Sequence, residues 1–193
     1  MNFFKSAVVC FAVLAIAGCN DGSPTAKFQI KPKTETEKQI EVLEKKLPKD
    51  ADAYYQLAVL YAEKDGASLV DEVKITINVK KAANQGHAEA QNLLGFLYDN
   101  GSAALNQDHS KAGQYYRLAA VQGHDDAQNN LGCWYYEGLG VRRNVVEAYA
   151  WVSISGPLHS ESLDVIKQEL SDVQLSEAKK RAAELLEKYG SGK

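Results

Sequence analysis

The sequence predicts an all-α fold, an α-solenoid of about three helix pairs with capping helices at both ends. Three observations predict it. The stretch "AEAQNLLGFLYDNG" (Ala88–Gly101) returns as "DDAQNNLGCWYYEG" (Asp125–Gly138), with Ala90/Ala127, Leu94/Leu131, Gly95/Gly132, Tyr98/Tyr135 and Gly101/Gly138 each 37 residues apart. A fainter copy precedes both, placing Ala53, Leu57, Ala58 and Tyr61 a further 37 residues upstream. Within each copy the shared apolar residues recur every four positions, the spacing of one buried helix face. Helix pairs repeated at a fixed period, none able to bury its apolar face alone, stack into a solenoid.

The elements follow in chain order. Residues 1–18 read as an export leader: one positive charge in Met1–Lys5, then an apolar run from Ser6 to Ala17. That run is shorter than the roughly 20 residues a membrane-spanning helix needs. It ends in "LAIAGC", which resembles the bacterial lipobox. The resemblance implies cleavage after Gly18, lipidation of Cys19 and a lipid-anchored product. Asn20 after the cysteine resembles the pattern of outer-membrane lipoproteins facing the periplasm. Residues 19–34 read as a tether, with Gly, Ser, Pro and scattered charge. Residues 35–48 read as an N-terminal capping helix, with Ile40, Leu43 and Leu47 in register and Pro48 as its stop.

Residues 53–161 form the three units, 53–89, 90–126 and 127–161. Each predicts a first helix, a turn and a second helix. Gly132 and Gly95 lie mid-helix, where glycine costs about 1 kcal/mol against alanine. They therefore predict a second helix approaching closer than a side chain permits. Asp71, Asp108 and Asn144 occupy equivalent places and predict N-caps of the second helices. Gly86 and Gly123 predict C-terminal glycines, and the third second helix ends near Gly156-Pro157. Trp134 is expected to pack between units. Residues 162–190 are the C-terminal capping helices. The last places Ala178, Ala182, Leu185 and Tyr189 inward, and turns Glu177, Arg181, Glu184 and Lys188 to water.

The pattern A-x3-L-G-x2-Y-x2-G, followed by K-A-x2-W/Y-Y/V-x2-A-A-x2-G, resembles the Sel1-like repeat, a relative of the tetratricopeptide repeat. The resemblance is strong in units two and three and weak in unit one. Unit one lacks the turn glycines, and "GSAALNQD" in unit two departs from the usual G-x-G. The resemblance implies a protein-interaction scaffold or regulator whose first helices line a concave groove. Cysteine-rich members of the family are associated with penicillin binding and β-lactamase activity, which supplies an alternative hydrolase reading. Those members carry a cysteine pair in each repeat, whereas this chain has only Cys133 across three.

The residues themselves give little chemistry. The formal charge is −3, and −4 once Lys5 leaves with the leader, so nothing draws the chain to nucleic acid. No metal or cofactor is expected. His87 and His124 sit at equivalent places on stacked helices, too far apart to share zinc, and each reads as a polar residue after a helix C-cap. Ser176-Glu177-Ala178-Lys179 fits S-x-x-K without the companion motifs of a penicillin-binding enzyme; a serine and lysine so spaced arise about once by chance in this composition. Ser171 or Ser176 reads as an N-cap. Cys133 has no neighbouring base in sequence. No catalytic residue is assigned.

A partner-binding face remains. Asn129, Cys133 and Tyr136 point about 200° from Leu131 at 100° per residue. The matching positions are Asn92, Phe96 and Asp99 in unit two, and Tyr55 and Val59, with Ala62, in unit one. This ladder of aromatics, amides and a carboxylate suits a protein or peptide ligand. Holding such a ligand as scaffold or adaptor, or neutralising a toxin as an immunity protein, is the expected function.

Overall fold

The computed structural model describes residues 33–45, 50–66 and 68–190. The leader, Cys19, all of the tether before Lys33, Leu47 and Pro48 lie outside the described residues. The helices are α1 (Glu35–Lys45), α2 (Ala51–Glu63), α3 (Leu69–Asn84), α4 (Ala88–Asn100), α5 (His109–Ala120), α6 (Asp125–Glu137), α7 (Val145–Ile154), α8 (Ser160–Gln168) and α9 (Asp172–Tyr189). A short 3-10 turn, Pro157–His159, leads into α8. Among the described residues the only β pairing is one isolated bridge, Ser102 to Leu105, so the fold is all-α. Among them, no helix is long and apolar enough to cross a membrane.

The units are the pairs α2/α3, α4/α5 and α6/α7. Their seam is built by the repeated letters: Leu57, Leu94 and Leu131 are all buried, as are Ala90, Ala127, Ala112 and Ala148. The mid-helix glycines sit where helices touch. A Cβ on Gly132 would stand 2.4 Å from Val152 Cγ2 and 3.0 Å from the Ala148 carbonyl oxygen; one on Gly95 would stand 2.7 Å from the Tyr116 ring. The close approach expected from the sequence is therefore present in both units.

Trp134 is buried between units. Its ring lies where a Cβ on Gly113 of α5 would come within 2.2 Å, and its Nε1 donates to the His109 carbonyl at 3.0 Å.

Caps define the boundaries. Asp108 accepts from the Lys111 N–H and Asn144 from the Glu147 N–H, each at 3.0 Å. Gly138 ends α6 in the left-handed region at φ +75°, open to glycine without strain. Ser171 caps α9 in a capping box with Gln174.

Asp71 corrects the sequence expectation. It is not the N-cap of α3; Ser68 is, and the helix starts one turn earlier than in the other units. Asp71 sits at the third helical position, 3% exposed. It accepts from the Ser68 N–H at 2.9 Å, the Ser68 hydroxyl at 2.7 Å and Lys64 Nζ at 3.2 Å. The Ser68 backbone N–H, its hydroxyl and then Lys64 hold this carboxyl below the usual range, against the opposing effect of burial.

A depressed carboxyl contributes stability that is present above its unfolded pKa, near 3.9, and is lost as pH falls through the lower folded value. Asp71→Ala is expected to cost about 2–3 kcal/mol at neutral pH. The difference in urea midpoint between variant and parent should be constant near pH 7 and narrow as pH falls below about 3.9.

His87 and His124 also do more than expected. Each caps the next first helix, its Nδ1 accepting from the Ala90 and Ala127 N–H at 3.3 Å. The glutamines of the repeated "AQN" reach back to the preceding helix end. Gln91 Nε2 donates to the Ala83 carbonyl and Gln128 Nε2 to that of Ala120, both at 3.1 Å. Gln128 also donates to the Tyr189 carbonyl at 3.0 Å, tying α9 to the stack. Tyr189 stacks on Trp151 with centroids 5.9 Å apart, and Ala178 and Leu185 are buried. Arg181 is not turned to open water: it is half-buried and donates to Glu147 at 2.8 Å.

Candidate binding face

The expected binding residues lie on the sides of α2, α4 and α6 away from the buried seam. In α2, Tyr55 and Val59 are half-buried and face α1. With Val42, Leu43 and Leu60 they line an open cleft of about 480 Å³, rimmed by Lys38 and Gln39. The Tyr55 ring stacks on His87 at 4.5 Å between centroids.

In α4, Phe96 is 53% exposed, a large apolar ring facing solvent at the middle of the stack. Asn92 Oδ1 accepts from Asn130 Nδ2 at 3.0 Å, linking α4 to α6. Asp99 Oδ1 lies 2.7 Å from His109 Nδ1. Loop residue Gln107 donates to the Asp99 carbonyl at 2.7 Å, which fixes the end of the stripe.

In α6, Asn129 Oδ1 is buried with no hydrogen-bond partner among the described residues. Cys133 is half-buried. Burial, then the Glu137 charge, pushes its thiol up, partly offset by a hydrogen bond with Ser162 of α8. The protonated thiol is the weak form of a nucleophile. The Tyr136 hydroxyl donates to Glu169, the residue ending α8, and Arg143 pairs with the same carboxylate. The Arg143 guanidinium lies 4.8 Å from the Tyr136 ring centroid. The hydrogen bonds from Tyr136 and Arg143 hold the Glu169 carboxyl below its ordinary range.

Two ends of the face are thus walled, by α1 beside α2 and by α8 beside α6. Phe96, Asn92 and Asp99 lie between. Tyr136 and Cys133 belong to the α8 wall rather than to open floor. Sequence reasoning placed the stripes but not the walls, because the Tyr136–Glu169 contact joins residues 33 apart with no periodic signal between them.

No three His, Cys, Asp or Glu side chains among the described residues converge as a metal site would require. Ser176 and Lys179 are both exposed on α9; Ser176 lines an open surface depression with Asp172, Val173, Glu177 and Lys180, all from α9 itself, and Lys179 is not part of it.

The family model for the Sel1 repeat matches residues 51–74, 88–124 and 125–154. Among solved structures, the chain is similar to c5321, described as a protective antigen present in uropathogenic Escherichia coli strains and displaying an SLR fold. Sequence identity is 32% and the TM-score 0.68, over 73% of this chain and 31% of that one. The chain therefore spans under a third of that protein. It is also similar to a Sel1 repeat protein from Oxalobacter formigenes, with 25% identity and a TM-score of 0.52, over 70% of this chain and 97% of that one. No curated protein matches the sequence. Helix pairs, seam glycines and matched segments coincide, and the chain carries Sel1 repeats at residues 51–74, 88–124 and 125–154.

Proposed function

We propose that this chain is a lipid-anchored protein of the bacterial cell envelope that holds a partner protein or peptide on its first-helix groove. It acts by display, as a scaffold or adaptor, and neutralising a toxin would be one form of that role. Sel1-repeat folds generally serve as protein-interaction scaffolds. The observation that carries the reading is Phe96: a 53%-exposed aromatic centred between two walls, flanked by carboxamides. Exposed aromatics with polar surroundings are how interface anchors look.

Affinity capture with the unacylated chain tests the groove. Phe96→Ala should weaken retention of the captured partner by about 10- to 100-fold, the loss of one anchor residue. Ile77→Ala, which removes a 46%-exposed side chain from α3, should leave it unchanged. Equal losses for the two variants would place the partner elsewhere.

The anchor is a separate part of the proposal and rests on "LAIAGC". Cys19→Ser is expected to move the protein from the membrane fraction to the soluble fraction, because acyl chains contribute about 0.8 kcal/mol per buried methylene. Persistence of the variant in membranes would remove Cys19 from the account.

A further inference from the structure

The three helices that form the binding face share a property beyond their apolar seam. α2 carries Asp52 and Glu63, α4 carries Glu89 and Asp99, and α6 carries Asp125, Asp126 and Glu137, while none of the three has a lysine or arginine. The second helices are mixed: α3 holds Lys74, Lys80 and Lys81 against Asp71 and Glu72, α5 holds Lys111 and Arg117 with no acidic residue, and α7 holds Glu147 with no basic one. Units one and two are therefore polarised across their thickness, and the first-helix side is acidic in all three units, although the formal net charge is only −3.

Placement sharpens the pattern. Asp52, Glu89 and Asp126 fall at 37-residue intervals, each three positions before Tyr55, Asn92 and Asn129. Residues three apart on a helix share a face. The three carboxylates thus form one row along an edge of the proposed groove. Their side chains are 79%, 57% and 67% exposed. His87 touches Asp52 and Glu89, and His159 touches Asp126, yet each carboxylate keeps most of its surface open. The walls carry the same sign: α1 has four glutamates against two lysines, and α8 has Glu161 and Asp164 against Lys167. Within the face stand the exposed ring of Phe96 and the buried, unpartnered acceptor Asn129 Oδ1.

We infer that the occupant of this face is a cationic peptide segment of a partner protein, with lysine or arginine side chains spaced around an apolar one that covers Phe96. The inference rests on the groove reading above and names the chemistry of its ligand. Cationic side chains meet the carboxylate row, and an anionic segment or anionic lipid surface is repelled by the same row.

The test uses the full chain carrying Cys19→Ser, free of detergent, and fluorescence anisotropy with a labelled dodecapeptide of repeating Lys-Ser-Leu. A Glu-Ser-Leu counterpart serves as the opposite-charge probe. The cationic peptide should bind, the anionic one should not, and affinity should fall steeply from about 20 mM to about 300 mM salt. Neutralising the row with Asp52→Asn, Glu89→Gln and Asp126→Asn together should weaken the cationic peptide about 10-fold and flatten its salt dependence. The salt dependence of the unmodified chain reads the same interaction without relying on a variant.

Equal binding of both peptides, or an unchanged affinity in the triple variant, overturns the charge inference. In that event a loss on Phe96→Ala would still leave the groove standing. If Phe96→Ala too is without effect, the groove reading fails with it.

Discussion

Trp134→Ala is expected to be the most damaging single truncation in the stack, lowering the unfolding free energy by about 3–5 kcal/mol. The indole is 8% exposed, fills the space that Gly113 leaves open on α5, and donates to the His109 carbonyl. Removing it leaves both a cavity between units and a carbonyl without its donor. Gly113→Ala attacks the same contact from the other side, since its Cβ would lie 2.2 Å from the ring. Overpacking of that kind costs about 1–3 kcal/mol, with about 1 kcal/mol recovered from helix propensity.

The two changes should not add. With the indole gone, a methyl at position 113 has room, so the double variant should be more stable than the sum of the singles by more than about 1 kcal/mol. Urea unfolding followed by helical circular dichroism measures all three. Additive losses would mean that Trp134 and Gly113 do not form the contact described.

Gly132→Leu carries the second large effect. A Cβ there meets Val152 Cγ2 at 2.4 Å, the Ala148 carbonyl oxygen at 3.0 Å and the Val152 nitrogen at 3.2 Å. The valine methyl can turn aside, but the two backbone atoms cannot, so α6 and α7 must separate. A loss of about 3 kcal/mol is expected. Gly95→Leu probes the same seam in unit two, against the Tyr116 ring at 2.7 Å and the Ala112 carbonyl oxygen at 3.2 Å. If the repeat is structural, both variants should lower the urea midpoint by similar amounts. A harmless Gly132→Leu would show that the shared glycine has no packing role.

These glycines show what the sequence made legible. A glycine in the middle of a helical apolar stripe is costly unless a second helix needs the space, so its recurrence exposes the seam directly. The caps were harder. Ser68 and Asp71 are both good N-cap residues three positions apart, and periodicity alone favoured the wrong one. Histidine is an uncommon N-cap, which hid the roles of His87 and His124 although both follow a glycine at the same place. The glutamine of "AQN" was visible as a repeated letter, but its bond to the preceding helix end depends on the turn between them.

The binding face divides in the same way. Its floor follows from helical geometry, because positions opposite Leu57, Leu94 and Leu131 must face away from the seam. Its walls depend on where α1 and α8 come to rest, set by contacts such as Tyr136 with Glu169 that no local pattern announces. The absence of lysine and arginine from all three first helices was present in the letters throughout, and acquires meaning only once the helices are sorted into layers.

The central claim, that the first-helix face holds the partner, is tested most directly by photo-cross-linking in cells. Benzoylphenylalanine placed at position 96 should give a covalent adduct with the partner, while the same group at position 77 of α3 or 118 of α5 should give none. Adducts from 77 or 118 with none from 96 would contradict the account.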